Sequence, residues 1–217
     1  MNEDLNARYF VELAAAFVRG HHPDAPALPP AELVAWGRSK GLKLHKFKRN
    51  AELPRVRRVL GMLRGLGPAD LLDIGSGRGT FLWPMLDAFP WVPVTAVEQS
   101  PRRVTDLSAV TRGGVDRLTV LDADAQALPL PDDSVDGVTL LEVLEHMPTP
   151  ARAAAHAVRV ARRFVIATVP SKPDDNPEHI HLFTGATLEA LFREAGAARV
   201  SVEYIHNHIV ALGIVER

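Results

Sequence analysis

The 217-residue chain contains no cysteine. That absence removes disulfides, thiolate zinc sites, iron–sulfur clusters and cysteine nucleophiles together. The N-terminus "MNEDLNARYF" has no basic stretch leading into an apolar one, and no apolar run approaches the ~18 residues of a membrane span. A leader and a spanning helix are therefore not expected, and the expected setting is cytoplasmic. Internal repeats and low-complexity tracts are absent as well.

What is there is an ordinary globular composition, 47% hydrophobic and 24% charged, on a length that suits one α/β domain carrying an appendage. The net charge of −1 hides an uneven distribution. Residues 38–58 hold nine of the 25 Lys and Arg and one acid, Glu52, out of 26. A segment of about +8 is thus attached to a body of about −9.

Residues 1–66 read as a helical extension. In "NARYFVELAAAFVRG" the apolar residues recur at a period near 3.6 up to Gly20, Pro30 suits the first turn of a helix running to about Lys40, and a third helix is expected over 52–65. From residue 67 onward short apolar runs alternate with helical stretches. Strands are expected at 70–74, 93–98, 117–121, 135–141 and 163–169, with helices near 79–88, 101–112, 148–161 and 184–195. Runs apolar on both faces suit buried parallel strands covered by helices. After the last helix, "ARVSVEYI" and "HIVALGIVE" are too closely joined for anything but a hairpin. The expectation is an α/β, doubly wound, seven-stranded sheet with its last strand antiparallel.

In such a sheet the ligand crevice lies at the carboxyl ends of the strands, beside the first one. "LLDIGSGRGTF" (71–81) sits there, with Gly75, Gly77 and Gly79 free to adopt φ > 0 and bring backbone close to a ligand. A tight turn serving no ligand would use the same glycines. A phosphate-cradling loop needs a Lys that is not present, and a dinucleotide fingerprint spaces its glycines differently. Asp73, just before the loop, would repel a pyrophosphate but accept from a cationic amino group. Glu98 ends the second strand, where a carboxylate takes ribose hydroxyls. In "LDADAQALPLPDDSVD", Asp124 and the Ala125 amide are candidates for adenine, although Asp124 alone reads as a cap.

Together these residues resemble the class I S-adenosylmethionine-dependent methyltransferases, over roughly residues 70–195. "DADAQALPLPDDSVDGVTLLEVLEHMPTP" and "HLFTGATLEALFREAGA" are similar to the branch acting in the ubiquinone and menaquinone pathways. The resemblance implies a Rossmann-like fold, S-adenosyl-L-methionine as cofactor, and a methyl transferred to an O, N or C acceptor, first of all on a small molecule. It places Asp73, Gly75, Gly77 and Gly79 at the methionine end, Glu98 at ribose, and Asp124 with Ala125 at adenine; Glu142 is added to that cofactor set.

Methyl transfer needs alignment and, for O or N acceptors, removal of a proton. "LLEVLEHM" offers Glu142, Glu145 and His146 at the end of the fourth strand, and His146 is the acid/base candidate because imidazole titrates in the useful range. Glu142, Glu145, His146 and His181 also resemble the metal set of RNA 3′-terminal ribose methyltransferases, which makes metal assistance an alternative; no metal is assigned at this stage. His179 and His181 sit in "VPSKPDDNPEHIHLF", long enough to reach over the crevice. In the basic segment, Lys43, Lys46, Lys48 and Arg49 would attract an acidic substrate, but with only Phe47 and Trp36 nearby for stacking the case for nucleic acid is incomplete. The competing readings are an RNA or protein methyltransferase, and a nucleoside-binding module without catalysis.

Overall fold

The computed structural model describes residues 8–49 and 53–216. Three helices come first: α1 (Val11–His21), α2 (Pro30–Ser39) and α3 (Pro54–Leu66). There follow β1 (Leu71–Ile74), α4 (Leu82–Ala88), β2 (Val94–Glu98), α5 (Pro101–Arg112), β3 (Leu118–Asp122), β4 (Val135–Leu141), α6 (Pro150–Val160), β5 (Ala161–Pro170), α7 (Gly185–Glu194), β6 (Arg199–Ile205) and β7 (His208–Ile214). The seven strands form one sheet in the order β3-β2-β1-β4-β5-β7-β6. Only β7 runs against the others, pairing antiparallel with both β5 and β6. This is the doubly wound sheet with an antiparallel last strand that the alternating runs predicted. Among the described residues no helix is long and apolar enough to cross a membrane.

Strand periodicity of two splits the core into two halves. Leu71 and Ala96 face one side and pack with α1–α5; Leu72, Ile74 and Val97 face the other and pack with α6 and α7. The N-terminal helices share the first of these cores with the sheet. Helix α1 lies directly on α5, close enough that a Cβ on Gly20 would meet the Ala109 carbonyl oxygen at 1.8 Å.

Several boundaries differ from expectation, each for a local reason. Tyr9 leaves the first helix and forms an antiparallel bridge with Lys48. Helix α4 starts at Leu82 instead of 79, because Gly79 has φ +81°, which a right-handed helix does not contain. Helix α6 starts at Pro150, with proline at a first-turn position where its missing N–H costs nothing. Strand β5 begins at Ala161 and runs to Pro170, longer than the apolar run, because β4 pairs with its start at Ala161 and β7 pairs along its other edge as far as Pro170. The third helix begins at Pro54; residue 52, where it was expected to start, lies outside the described residues.

The basic segment spends much of its charge on the body. Lys46 pairs with Asp106, Arg49 makes a bidentate pair with Asp87 at 2.8 Å to each oxygen, Arg55 approaches Glu142 at 3.6 Å, and Arg58 pairs with Glu203. The charge asymmetry read along the sequence is thus partly cancelled in space.

Candidate functional site

The sheet order reverses between β1 and β4, and a cleft of about 680 Å³ opens there at the carboxyl ends of the strands. Its floor is the glycine loop. Gly75, Gly77 and Gly79 have φ of +71°, +58° and +81°. A side chain at Gly75 would strike Val143 at 2.6 Å, and one at Gly79 would strike the Trp83 indole at 2.0 Å. At Gly77 the nearest atoms are the Gly75 carbonyl at 3.6 Å and Arg103 Nη1 at 3.8 Å, so a Cβ there would project among the residues lining the cleft.

Asp73 is 2% exposed, yet both its oxygens are satisfied. Ser76 Oγ donates to Oδ2 at 2.6 Å, and Thr139 Oγ1 donates to Oδ1 at 2.8 Å. Burial dominates over these two bonds and pushes the carboxyl up to about 6, with the negative Glu98 adding to the rise. Parallel pairing of β1 with β4 sets Asp73 beside Thr139 in register, a relation across 66 residues that no local motif signals. The carboxylate therefore braces the turn, and it also lines the cleft.

Glu98 is 5% exposed at the tip of β2. Its Oε2 accepts the Gly77 amide at 3.0 Å, and its Oε1 accepts the Gln99 and Ser100 amides at 3.0 and 3.1 Å. Arg103, which the sequence reading passed over, sends Nη1 to within 3.7 Å of Oε2. Three backbone donors leave part of the carboxylate's accepting capacity toward the cleft.

Ala125 is buried against the cleft. Asp124 is half-buried, and its Oδ1 accepts the Gln126 amide at 2.8 Å, capping the short 3₁₀ turn Ala125–Ala127. The cap reading of this residue holds for one oxygen; the other carries no bond among the described residues.

The far end of the cleft is built from the β4 exit and the 171–181 loop. Glu142 has φ +58°, an uncommon conformation for a residue with a side chain, at the mouth of the cleft. Thr168 donates to its Oε1 at 2.8 Å and His208 Nε2 lies 3.1 Å from its Oε2, with Arg55 beside Oε1. Burial lowers the His208 pKa despite the neighbouring Glu142 carboxylate. Glu142 thus sits in a four-residue network joining α3, β4, β5 and β7. Neither Thr168 nor His208 carries a sequence signal, because strand pairing alone brings them here.

Glu145 is fully buried, and neither carboxylate oxygen has a hydrogen-bond partner among the described residues. Burial first, then the nearby Glu142, pushes it up to about 8. His146 lines the cleft, and its Nδ1 donates to the Glu178 carbonyl at 2.9 Å. Of the four residues considered as metal ligands, the structure joins Glu145 and His146 to His179 instead of His181. His181 is turned away, its Nε2 at 2.9 Å from the Met147 carbonyl, and Glu142 belongs to the network just described.

Residues 72–165 match a family model described as a methyltransferase domain. The malonyl-[acyl-carrier protein] O-methyltransferase of Methylococcus capsulatus is 38% identical over 80 residues, 36% of this chain and 29% of that protein. The ubiquinone/menaquinone biosynthesis C-methyltransferase of Paracoccus denitrificans is 32% identical over 106 residues, 46% of this chain and 42% of that one. Among solved structures, a SAM-dependent methyltransferase from Aquifex aeolicus superposes with a TM-score of 0.63 at 20% identity, over 76% of this chain and 92% of its own, which is a likeness of fold. The matched regions span well under half the length of these curated relatives.

Proposed function

We propose that this chain, which belongs to the class I S-adenosylmethionine-dependent methyltransferases, binds S-adenosyl-L-methionine in the cleft and transfers its methyl group to a small-molecule acceptor. The observation that carries this is the Glu98 carboxylate at the tip of β2, buried and bonded to the middle of the glycine loop, beside a cleft of about 680 Å³. The residues present fit the cofactor. The backbone at Gly75 and Gly77 has no side chain to hold a ligand off, Glu98 retains acceptor capacity for ribose hydroxyls, and Ala125 offers a small apolar surface to a purine. Asp73 at the opposite end provides the negative charge that suits a cationic amino-acid group.

When bound, the cofactor supplies an electrophilic methyl on a sulfonium. The chain's own work is alignment and exclusion of water. Arg55 and Val56 of α3 line the acceptor side, so α3 covers that side while α1, α2 and α3 also form part of the core. The Arg55–Glu142 pair ties this cover to the β4 exit. His146 is the acceptor-side residue of this reading: with Nδ1 committed to Glu178, Nε2 is the nitrogen left for chemistry. The curated relatives quoted above, one named for a carrier-bound malonyl group and one for quinone biosynthesis, support a small acceptor.

The test is incubation of the full chain with methyl-labelled S-adenosylmethionine and fractionated cell extract. Label is expected in the small-molecule fraction. Label in RNA or protein would overturn the acceptor class, and cofactor binding without transfer to any fraction would reduce the chain to a nucleoside-binding module.

A further inference from the structure

We infer that the groove between the outer face of α3 and the β6–β7 turn binds a small molecule through its phosphate groups, outside the cofactor cleft. Pro54, Arg57, Arg58, Leu60 and Arg64 of α3 and His206 of the turn enclose about 520 Å³ there, and none of them lines the cleft. Helix periodicity explains how α3 presents such a face. Val56, Val59, Leu60 and Leu63 turn into the core. At about 100° per residue, Arg57, Gly61 and Arg64 then fall within about 60° of one another on the side away from it. Arg57, Arg58, Gly61 and Arg64 are all exposed.

Two observations point to an anion. The first is the lining, which holds three guanidiniums and an imidazole and no acid. Helix α3 itself carries four arginines and no acid. Lys46 and Arg49, earlier in the basic segment, are answered by Asp106 and Asp87. At the groove, Glu203 of β6 holds Arg58, while Arg64 forms no ion pair among the described residues. The second is Gly61. Glycine weakens a helix interior, and a Cβ at this position would meet nothing within 4 Å, so no packing neighbour calls for it. What its bareness provides is room between Arg57 and Arg64.

An anion set among these guanidiniums replaces their mutual repulsion with attraction. Phosphate is the anion that the planar fork of arginine matches, two oxygens at a time. Arg57 and Arg64 start about 10.5 Å apart along the helix axis, a span that their long side chains close onto two linked phosphates more readily than onto one. Pro54 and Leu60 give the rest of the molecule an apolar wall. Because α3 also lines the cleft through Arg55 and Val56, the phosphates belong either to the acceptor or to a separate ligand acting on the same helix. The groove stands without the methyl-transfer reading; the choice between these two sources rests on it.

Titration calorimetry of the full chain with pyrophosphate tests the site. One pyrophosphate per chain is expected, with Arg57→Ala and Arg64→Ala each weakening it by about tenfold or more. Gly61→Leu should weaken binding while raising the melting temperature, because leucine fills the space and favours the helix. Those opposite signs cannot come from a damaged fold. Glu203→Gln releases Arg58 and should tighten binding several-fold, whereas Glu189→Gln, an equal change of charge on α7 at the other face of the sheet, should not. No pyrophosphate binding, or binding that both arginine variants leave unchanged, overturns the proposal. Binding of a single-stranded oligonucleotide without pyrophosphate overturns it too, in favour of nucleic acid. Phosphatase treatment of the labelled methyl-transfer product separates the sources: a shift in mobility assigns the phosphate to the acceptor, and no shift assigns it to a separate ligand. S-adenosylhomocysteine titrated into the same samples separates the two readings. Pyrophosphate binding without S-adenosylhomocysteine binding removes methyl transfer and leaves the groove, and the reverse removes the groove alone.

Discussion

Glu98 Oε2 accepts the Gly77 amide at 3.0 Å, joining the tip of β2 to the middle of the glycine loop 21 residues earlier. The bond explains why an acid and a glycine are both needed. Gly77, at φ +58°, turns its N–H toward the β2 tip, and a carboxylate there meets it with charge-assisted strength. The loop is thereby formed before any ligand arrives, and a ligand need not supply the ordering entropy.

Replacing Glu98 with Gln makes this dependence measurable. The amide keeps one acceptor oxygen and points an NH₂ at N–H donors that the carboxylate now satisfies. Hydrogen bonds to charged groups contribute about 1.5–3 kcal/mol, so S-adenosylhomocysteine affinity should fall by roughly tenfold to a hundredfold. Calorimetric titration reads this directly, and parent-like affinity in Glu98→Gln would remove Glu98 from the cofactor site.

Alanine at Gly77 and at Gly79 should fail differently. At Gly79 the new methyl meets the Trp83 indole at 2.0 Å on a φ of +81°, so both packing and backbone object. A loss of about 2–4 kcal/mol is expected from overpacking and left-handed strain combined. At Gly77 no neighbour lies within 3.6 Å, and the cost is the conformational ~1–2 kcal/mol alone. Thermal melting should rank Gly79→Ala well below Gly77→Ala, while both lose S-adenosylhomocysteine binding.

The raised carboxyl of Asp73 predicts a pH dependence of stability. Between the ordinary 3.8 and about 6 the folded chain keeps this proton and the unfolded chain has lost it. The unfolded state then binds fewer protons, so this group's contribution to stability falls as pH rises through that window. The difference amounts to roughly 3 kcal/mol once pH exceeds the upper value. Asp73→Asn should abolish that component, so that unfolding free energies of parent and variant diverge from pH 4 to pH 6 and run parallel above it. Curves parallel throughout would show that Asp73 titrates normally in the fold.

Much of the scaffold was legible because its signals are local. Apolar runs with period two, glycines before a helix and an acid at a strand end all declare themselves within a few residues, and the sheet, the loop and Glu98 follow from them. The departures have one local and one distant cause: a glycine with positive φ delays α4, whereas Tyr9 leaves its helix to pair with Lys48, 39 positions away in the numbering. The basic segment illustrates what a linear count omits, since Lys46, Arg49, Arg55 and Arg58 find acids only after folding.

By itself, then, the sequence determined the class of fold and the position of the cleft at the carboxyl ends of the strands, because backbone conformation and strand burial are encoded residue by residue. Tertiary structure alone decided what each carboxylate does. Strand register sets Thr139 against Asp73 and His208 against Glu142, and the packing of the 171–181 loop brings His179 to Glu145 while turning His181 away. Charge, protonation and ligation depend on neighbours within a few ångströms, and those neighbours come from strands and loops far apart in the chain.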